Sequence, residues 1–366
     1  MMYRIPPSPL VHPLVFPVKI RYTLVKIMLT ARTKEEQPMK KKPSLTEDHR
    51  KKVLLDVDTG VDDAIGIIIA ATAPEINLLG ITTVSGNIDL PSATVNTLRV
   101  LKLLGKEGVY PVHMGASSSL CREVRYATEI HGSTGLAGQL QDIPVDLPRD
   151  TAAEDFIIET IDRHPGEITL IMTAPQTNFA KALEKRPDLG KKLKEIIFMG
   201  GVAEGRGNES PRAEFNIAID PEAADRVLHC GAKITMVGLD VTRKALLTME
   251  DLQALDSENP VVDFVQKVTG DYMQRYHTVN GIHGCLMHDP LAVSLAIDPS
   301  FVTTAHHYVA VETSSTCCDG ETVCDFNDYW KKEANVHVAI KLDRRAFITF
   351  LLDRMEKAGV QDESTK

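Results

Sequence analysis

The stretch Lys52-Val53-Leu54-Leu55-Asp56-Val57-Asp58-Thr59-Gly60-Val61-Asp62-Asp63-Ala64 constrains this chain more than any other. An apolar run drives directly into four aspartates spread over eight positions. Val53 to Leu55, with Val57, predicts a fully buried strand, and Gly60 a turn. Asp62-Asp63-Ala64-Ile65 predicts the first turn of a helix, where acids suit the dipole. On an extended chain Asp56 and Asp58 project from one face at the strand's carboxyl end. Asp62 and Asp63 come back from the helix start toward the same spot. Carboxylates gathered in this way repel unless something positive stands among them. An all-oxygen, all-acid donor set implies a hard cation, Ca²⁺ or Mg²⁺, rather than zinc. A helix cap with solvated loop acids is the simpler reading, but solvated acids rarely sit directly behind a buried apolar run.

From Val53 the chain alternates between strand-like and helix-like segments. Apolar runs at 78–84, 168–172, 195–199 and 234–239 read as strands. Helical patterns lie between them at 92–104, 152–163, 178–185 and 222–229. Later strands are expected at 307–312 and 335–342, then a closing helix at 344–357. This predicts an α/β fold: a Rossmann-like open, mostly parallel sheet with helices on both faces. Ligands in such sheets sit beyond the carboxyl ends of the strands. Apolar content of 43% is enough to build a sizeable core from this pattern. A formal net charge of −9 argues against nucleic acid as a partner, because phosphate binding needs a basic face.

Residues 1–51 differ in kind and read as a disordered extension ahead of a catalytic domain spanning 52–360. Up to Lys34 there are six basic residues and no acidic one. That composition resembles a mitochondrial transit peptide, but serines are scarce and the prolines disfavour an amphipathic helix. No window reaches the ~18 apolar residues of a membrane span. The six cysteines follow no regular framework, which fits reduced thiols in a cytoplasmic protein. His283, Cys285 and His288 suggest zinc, yet no second ligand pair accompanies them.

Several strand ends carry polar residues that a core strand has no use for. These are Ser85-Gly86-Asn87, Thr173-Ala174-Pro175-Gln176, Met199-Gly200-Gly201 and Glu214-Phe215-Asn216 followed by Asp220-Pro221-Glu222-Ala223-Ala224. His131-Gly132-Ser133-Thr134-Gly135-Leu136 and His288-Asp289 complete the series. Singly, each is adequately explained as a turn or a helix cap. Together with the aspartate stretch they resemble the inosine-uridine preferring nucleoside hydrolases in order and spacing, over roughly residues 52 to 350. Two departures are visible: Thr59 stands where most members have proline, and the Thr173 turn differs from the usual Thr-Gly-Pro-Leu.

The resemblance implies hydrolysis of the N-glycosidic bond of ribonucleosides such as inosine or uridine. It implies that Asp58, Asp63, Asp289 and the Thr173 carbonyl hold Ca²⁺, with Asp58 also the general base. Asp62, Asn87 and Asn216 would bind the ribose hydroxyls, Asn208 and Glu214 the 5′ end, and His288, as a catalytic residue, would face the base. Elementary chemistry agrees: Ca²⁺ takes six to eight oxygens, and a departing base needs a proton donor that works near neutral pH. A homo-oligomer, dimer or tetramer, is expected. Two rivals remain. Asp56-Val57-Asp58-Thr59 also resembles the nucleophile motif of haloacid-dehalogenase-like phosphatases, although no activating lysine or late acidic pair follows. A nucleoside-binding protein without turnover would lack a base or a metal ligand, and all the expected carboxylates are present.

Overall fold

The computed structural model describes residues 49–148, 152–253, 255 and 258–359. Strand β1 (Lys51–Val57) runs between β2 (Ile76–Thr83) and β4 (Ile168–Met172), parallel to both. Its side chains alternate as the pleat requires. Val53, Leu55 and Val57 enter one apolar cluster and Leu54 enters the other. A strand buried on both faces reads as a continuous apolar run, which is how β1 appears in the sequence.

The remaining strands are β3 (Val112–Met114), β5 (Glu195–Met199), β6 (Ile234–Val237), β7 (Leu246–Leu247), β8 (Cys285–Leu286), β9 (Val302–Val311), β10 (Thr322–Asp325) and β11 (Val336–Leu342). Nine of the eleven strands among the described residues form one sheet in the order β10-β9-β11-β6-β5-β4-β1-β2-β3. Every pairing from β11 to β3 is parallel, and β9 alone turns antiparallel, to β11 and to β10. The expected open, mostly parallel sheet is therefore present. β7 and β8 make a separate antiparallel ribbon. The order reverses at β1, with β2 and β3 on one side and β4 to β6 on the other. Such a reversal opens a crevice at the carboxyl ends of β1 and β4.

Helices cover both faces. Val61–Thr72 packs with His288–Leu295, Pro260–Asn280 and Arg344–Ala358 over one apolar cluster. Ala153–Arg163, Thr177–Lys185 and Pro221–Leu228 cover the other. The long helix Pro260–Asn280 starts on an Asn259 cap and ends at Gly281 in the left-handed region. Expected strand and helix positions agree to within a few residues, except that β9 starts at Val302 rather than 307. The extension expected at 1–51 lies outside the described residues as far as 48, and so does its transit-peptide reading; β1 begins at Lys51. Among the described residues no helix is long and apolar enough to cross a membrane.

Candidate active site

A cavity of about 670 Å³ opens beyond the carboxyl ends of the strands. Asp62, Asn87, Thr173, Asn208, Glu214, Asn216, His288 and Asp289 all line it. Asp58 and Asp63 stand just behind, at 0% and 1% exposure. The crossover point of the sheet explains the convergence. Asp58 leaves β1, Thr173 leaves β4, Asp62 and Asp63 open the helix Val61–Thr72, and Asp289 opens the helix His288–Leu295.

Carboxylate oxygens of Asp62, Asp63 and Asp289 lie within 4.8 Å of one another. Asp58 is joined to them through Asn87. The Asn87 backbone N–H donates to Asp58 Oδ2 at 2.7 Å, and its side-chain amide donates to Asp58 Oδ1 and Asp63 Oδ2, both at 3.0 Å. Asp63 also accepts from the Gly60 N–H at 3.0 Å and the Thr173 hydroxyl at 2.9 Å. The Tyr272 hydroxyl donates to Asp62 at 3.3 Å. Gly86 makes the Asp58 contact sterically feasible: a Cβ there would fall 2.0 Å from Asp58 Oδ2.

Burial and mutual repulsion leave their mark on these acids. Burial, then the Asp63 charge, holds Asp58 well above the usual carboxylate range. Asp62 is pushed up to about 7 by burial and by Asp63. Asp289 is raised well above its ordinary value by burial, then by Asp62, Asp63 and Asp58. Burial also raises Asp63. A set of carboxylates that cannot all ionise without a counter-charge fits a cation, and the oxygen-only donors fit a hard one.

Asp56 does not join them. The sequence expectation put Asp56 and Asp58 together at the strand end, but Asp56 lies below the cavity floor. Its Oδ1 accepts from Thr82 Oγ1 at 2.5 Å and Asn178 Nδ2 at 2.7 Å. Its Oδ2 is buried without a partner, and burial raises its pKa to about 7. Unlike Asp58, whose partner Asn87 lines the cavity, Asp56 is held by Thr82 and Asn178, which do not line it, so the geometry sets no nucleophile for the phosphatase reading at the site.

The other expected residues are placed as follows. Asn216 donates to the Thr173 carbonyl at 3.0 Å and the Met199 carbonyl at 3.2 Å. Glu214 caps the helix Phe215–Ile219, accepting from the N–H groups of Asn216, Ile217 and Gly201 at 3.0, 3.2 and 3.0 Å. Gly201 needs its positive φ of 78° to aim that N–H. Asn208 accepts from Phe215 N–H at 2.9 Å. His288 is buried with both ring nitrogens engaged, Nδ1 with Thr242 Oγ1 at 2.8 Å and Nε2 with Tyr276 Oη at 3.0 Å. Burial, with the Arg243 charge, lowers its pKa to about 3, so the imidazole is neutral. Among the described residues the three-ligand cluster is the aspartate one; His283 and Cys285 form none with His288, and the zinc reading is dropped.

Three wall residues received no role from the sequence. His131 accepts from the Val61 N–H at 3.2 Å and faces Tyr272, ring centroids 5.2 Å apart. Its only signal was the His131-Gly132 loop. Arg125 reaches Glu209 at 2.7 Å across the cavity mouth. Arg243 holds the Gly207 carbonyl at 2.7 Å. Nothing local marks an arginine as a wall residue, so neither was legible. Thr59, the departure from the family's proline, is tied to the helix Leu90–Leu103 through Thr97 Oγ1 at 2.7 Å.

The family model for inosine-uridine preferring nucleoside hydrolases matches residues 53–349, every strand from β2 through β11 included. The chain belongs to this family. It is 37% identical over 306 residues to the pyrimidine-specific ribonucleoside hydrolase RihA of Citrobacter koseri, covering 83% of this chain and 97% of that protein. A solved plant nucleoside hydrolase, PpNRh1, superposes with a TM-score of 0.80 at 35% identity, over 84% of this chain and 99% of that one. The purine-preferring ribonucleoside hydrolase of Gardnerella vaginalis gives 0.78 at 33% identity, over 84% and 99%. The nucleoside hydrolase is therefore an N-ribosyl hydrolase acting on ribonucleosides, as the strand-end motifs implied. Their register over most of the chain had already set the hydrolase apart from a phosphatase.

Proposed function

We propose that this hydrolase cleaves inosine, uridine or related ribonucleosides in a Ca²⁺-dependent reaction, with Asp58 as general base. The observation that carries the reading is the cluster of buried aspartates with carboxylate oxygens of Asp62, Asp63 and Asp289 within 4.8 Å of one another, the Asp62 and Asp289 carboxyls raised by burial and then by the charge of neighbouring aspartates. Asp63 and Asp289, which lie with Asp62 in one carboxylate cluster, would hold the ion together with Asp58 and the Thr173 carbonyl. When bound, it supplies Lewis acidity and a fixed positive charge among the carboxylates. Asp58 then stays ionised and takes the proton of the attacking water, held in line by its two hydrogen bonds to Asn87. Of the residues lining the cavity, Asp62, Asn87 and Asn216 would bind the ribose hydroxyls, and Asn208 and Glu214 its 5′ end. The surrounding acids stabilise an oxocarbenium-like centre as the bond opens.

The departing base gathers negative charge and needs a proton. The hydrogen-bonded pair of Tyr276 and His288 supplies it, with Thr242 fixing the imidazole from behind. Burial keeps the Tyr276 hydroxyl protonated, so the proton leaves it only as charge builds on the departing base. A panel of ribonucleosides assayed with and without a chelator, alongside metal analysis, tests the proposal. Loss of turnover on chelation and its return with Ca²⁺ is expected. Stoichiometric zinc, or full turnover after exhaustive chelation, would overturn the calcium assignment. The expected dimer or tetramer is read by sedimentation of the same preparation.

A further inference from the structure

The hairpin of β9 and β10 ends in a turn outside the site described above. Cys317 and Cys318 occupy it, Cys317 exposed and Cys318 partly so. Successive side chains on a strand point to opposite faces. Here the turn brings both thiols together, with sulfurs 3.8 Å apart. The N–H groups of Cys317 and Cys318 both donate to Ser315 Oγ, at 3.3 and 3.1 Å, and the Ser315 N–H donates to Glu312 at 3.0 Å.

This turn is tied to the cavity wall. Arg122, two residues before the cavity-lining Val124, donates to the Thr313 carbonyl at 2.8 Å, to Asp319 at 2.8 Å and to Glu222 at 2.6 Å. Gly320 packs against Ala218 on the helix that bears Asn216. Thr322 Oγ1 accepts from the Val202 N–H and donates to the Val202 carbonyl, both at 2.8 Å.

We propose that Cys317 and Cys318 are an oxidisable vicinal dithiol, closed to a disulfide by a hydroperoxide, and that closure weakens substrate binding through Arg122. The first step is attack of the Cys317 sulfur on a peroxide oxygen; the O–O bond breaks, giving a sulfenic acid and water. The Cys318 sulfur then attacks the Cys317 sulfur, the S–O bond breaks, and a second water carries off the remaining proton. In sum, two thiols lose two electrons and two protons to hydrogen peroxide, which becomes two waters. Cys317 is the attacking group because it is the more exposed. The Glu321 carboxylate, hydrogen-bonded to Cys318, holds that thiol protonated, with its pKa pushed up to about 11.

Neighbouring Cα atoms stand only about 3.8 Å apart, short of the roughly 4.4–6.8 Å that disulfides usually span. The ring therefore closes only if the turn distorts. Exposed, strained disulfides are the readily reduced ones, which makes the closure reversible. The distortion falls on Asp319, the next residue, and so on the Arg122 guanidinium that anchors the wall at Val124 to His131.

The test uses the full chain, reduced, treated with hydrogen peroxide, alkylated and cleaved after glutamate. Peptide 313–321 then carries Cys317 and Cys318 and no other cysteine. The expected result is an unalkylated peptide lighter by two hydrogens, restored by dithiothreitol. In parallel, KM for a riboside rises about fivefold or more and recovers on reduction, with kcat changing much less. Cys317→Ser and Cys318→Ser should each abolish both effects while keeping the parent's KM when reduced. A peptide that stays fully alkylated, or gains oxygen without losing hydrogens, overturns the dithiol. Quantitative closure with an unchanged KM overturns the link through Arg122. A KM rise that survives in Cys317→Ser places the oxidation elsewhere and overturns both.

Discussion

Gly86→Ala is a one-methyl perturbation aimed at Asp58. The added Cβ would lie 2.0 Å from Asp58 Oδ2, 2.9 Å from Asp58 Cγ and 2.9 Å from Pro175 Cδ. Ordinary contact begins near 3.4 Å, so the carboxylate or the loop must retreat by roughly 1 Å or more, a misplacement worth about 10²-fold in rate. The retreat also breaks the 2.7 Å hydrogen bond from the Asn87 N–H. Gly86 does not sit at positive φ, so alanine adds no backbone strain there and the effect reports on the carboxylate. The expected outcome is a kcat for inosine or uridine lower by about 10²-fold, close to 2.7 kcal/mol of barrier. Overpacking should cost about 1–3 kcal/mol of stability, seen as a lowered melting temperature by circular dichroism. Combined with Asp58→Asn, the glycine change should lose almost nothing further, because both act on one group. Turnover within about threefold of the parent, in a variant that melts normally, would refute the placement of Asp58 as base.

Asp56 separates support from chemistry. Asp56→Asn keeps the acceptor used by Thr82 and Asn178, whereas Asp56→Ala strands both donors and should cost about 2–5 kcal/mol in urea unfolding; equal costs would count against this account. His288→Ala should slow inosine or uridine by about 10²- to 10⁴-fold yet nearly spare p-nitrophenyl riboside, whose leaving group is stable as an anion. Equal slowing of both substrates at saturating Ca²⁺ would make His288 a support for Asp289 and not part of the proton path. Glu214 supplies a pH test: burial raises its carboxyl from 4.5 to about 7, so its contribution to stability is full below the unfolded value and lost as pH rises through about 7. Removing metal and titrating from pH 5 to 8 should show a decline that is smaller in Glu214→Gln than in the parent by on the order of 3 kcal/mol, the decline left in the variant coming from the other raised acids, Asp56 and Asp62 among them; parallel curves would show that the Glu214 carboxyl is already ionised when folded.

The local pattern of the chain determined a good deal. The apolar run of β1, buried on both faces, and the alternation that follows specify a parallel sheet with covering helices. Strand ends that carry Asp, Asn, Thr and Glu where apolar residues would serve specify which edge of that sheet does chemistry. Both follow from burial periodicity, which is written into neighbouring residues. The tertiary structure decided which of those polar groups meet. Asp56 and Asp58 share a strand end, yet one is held by Thr82 and Asn178 beneath the floor and the other by Asn87 behind the cavity. Asn87, expected to face only ribose, spaces two aspartates that share its amide. The Arg125–Glu209 pair and the Tyr276–His288–Thr242 chain join residues far apart in sequence, with no local composition to announce them. A hydrogen bond of about 3 Å depends on the packing of whole elements, and the spacing of neighbouring residues cannot encode it.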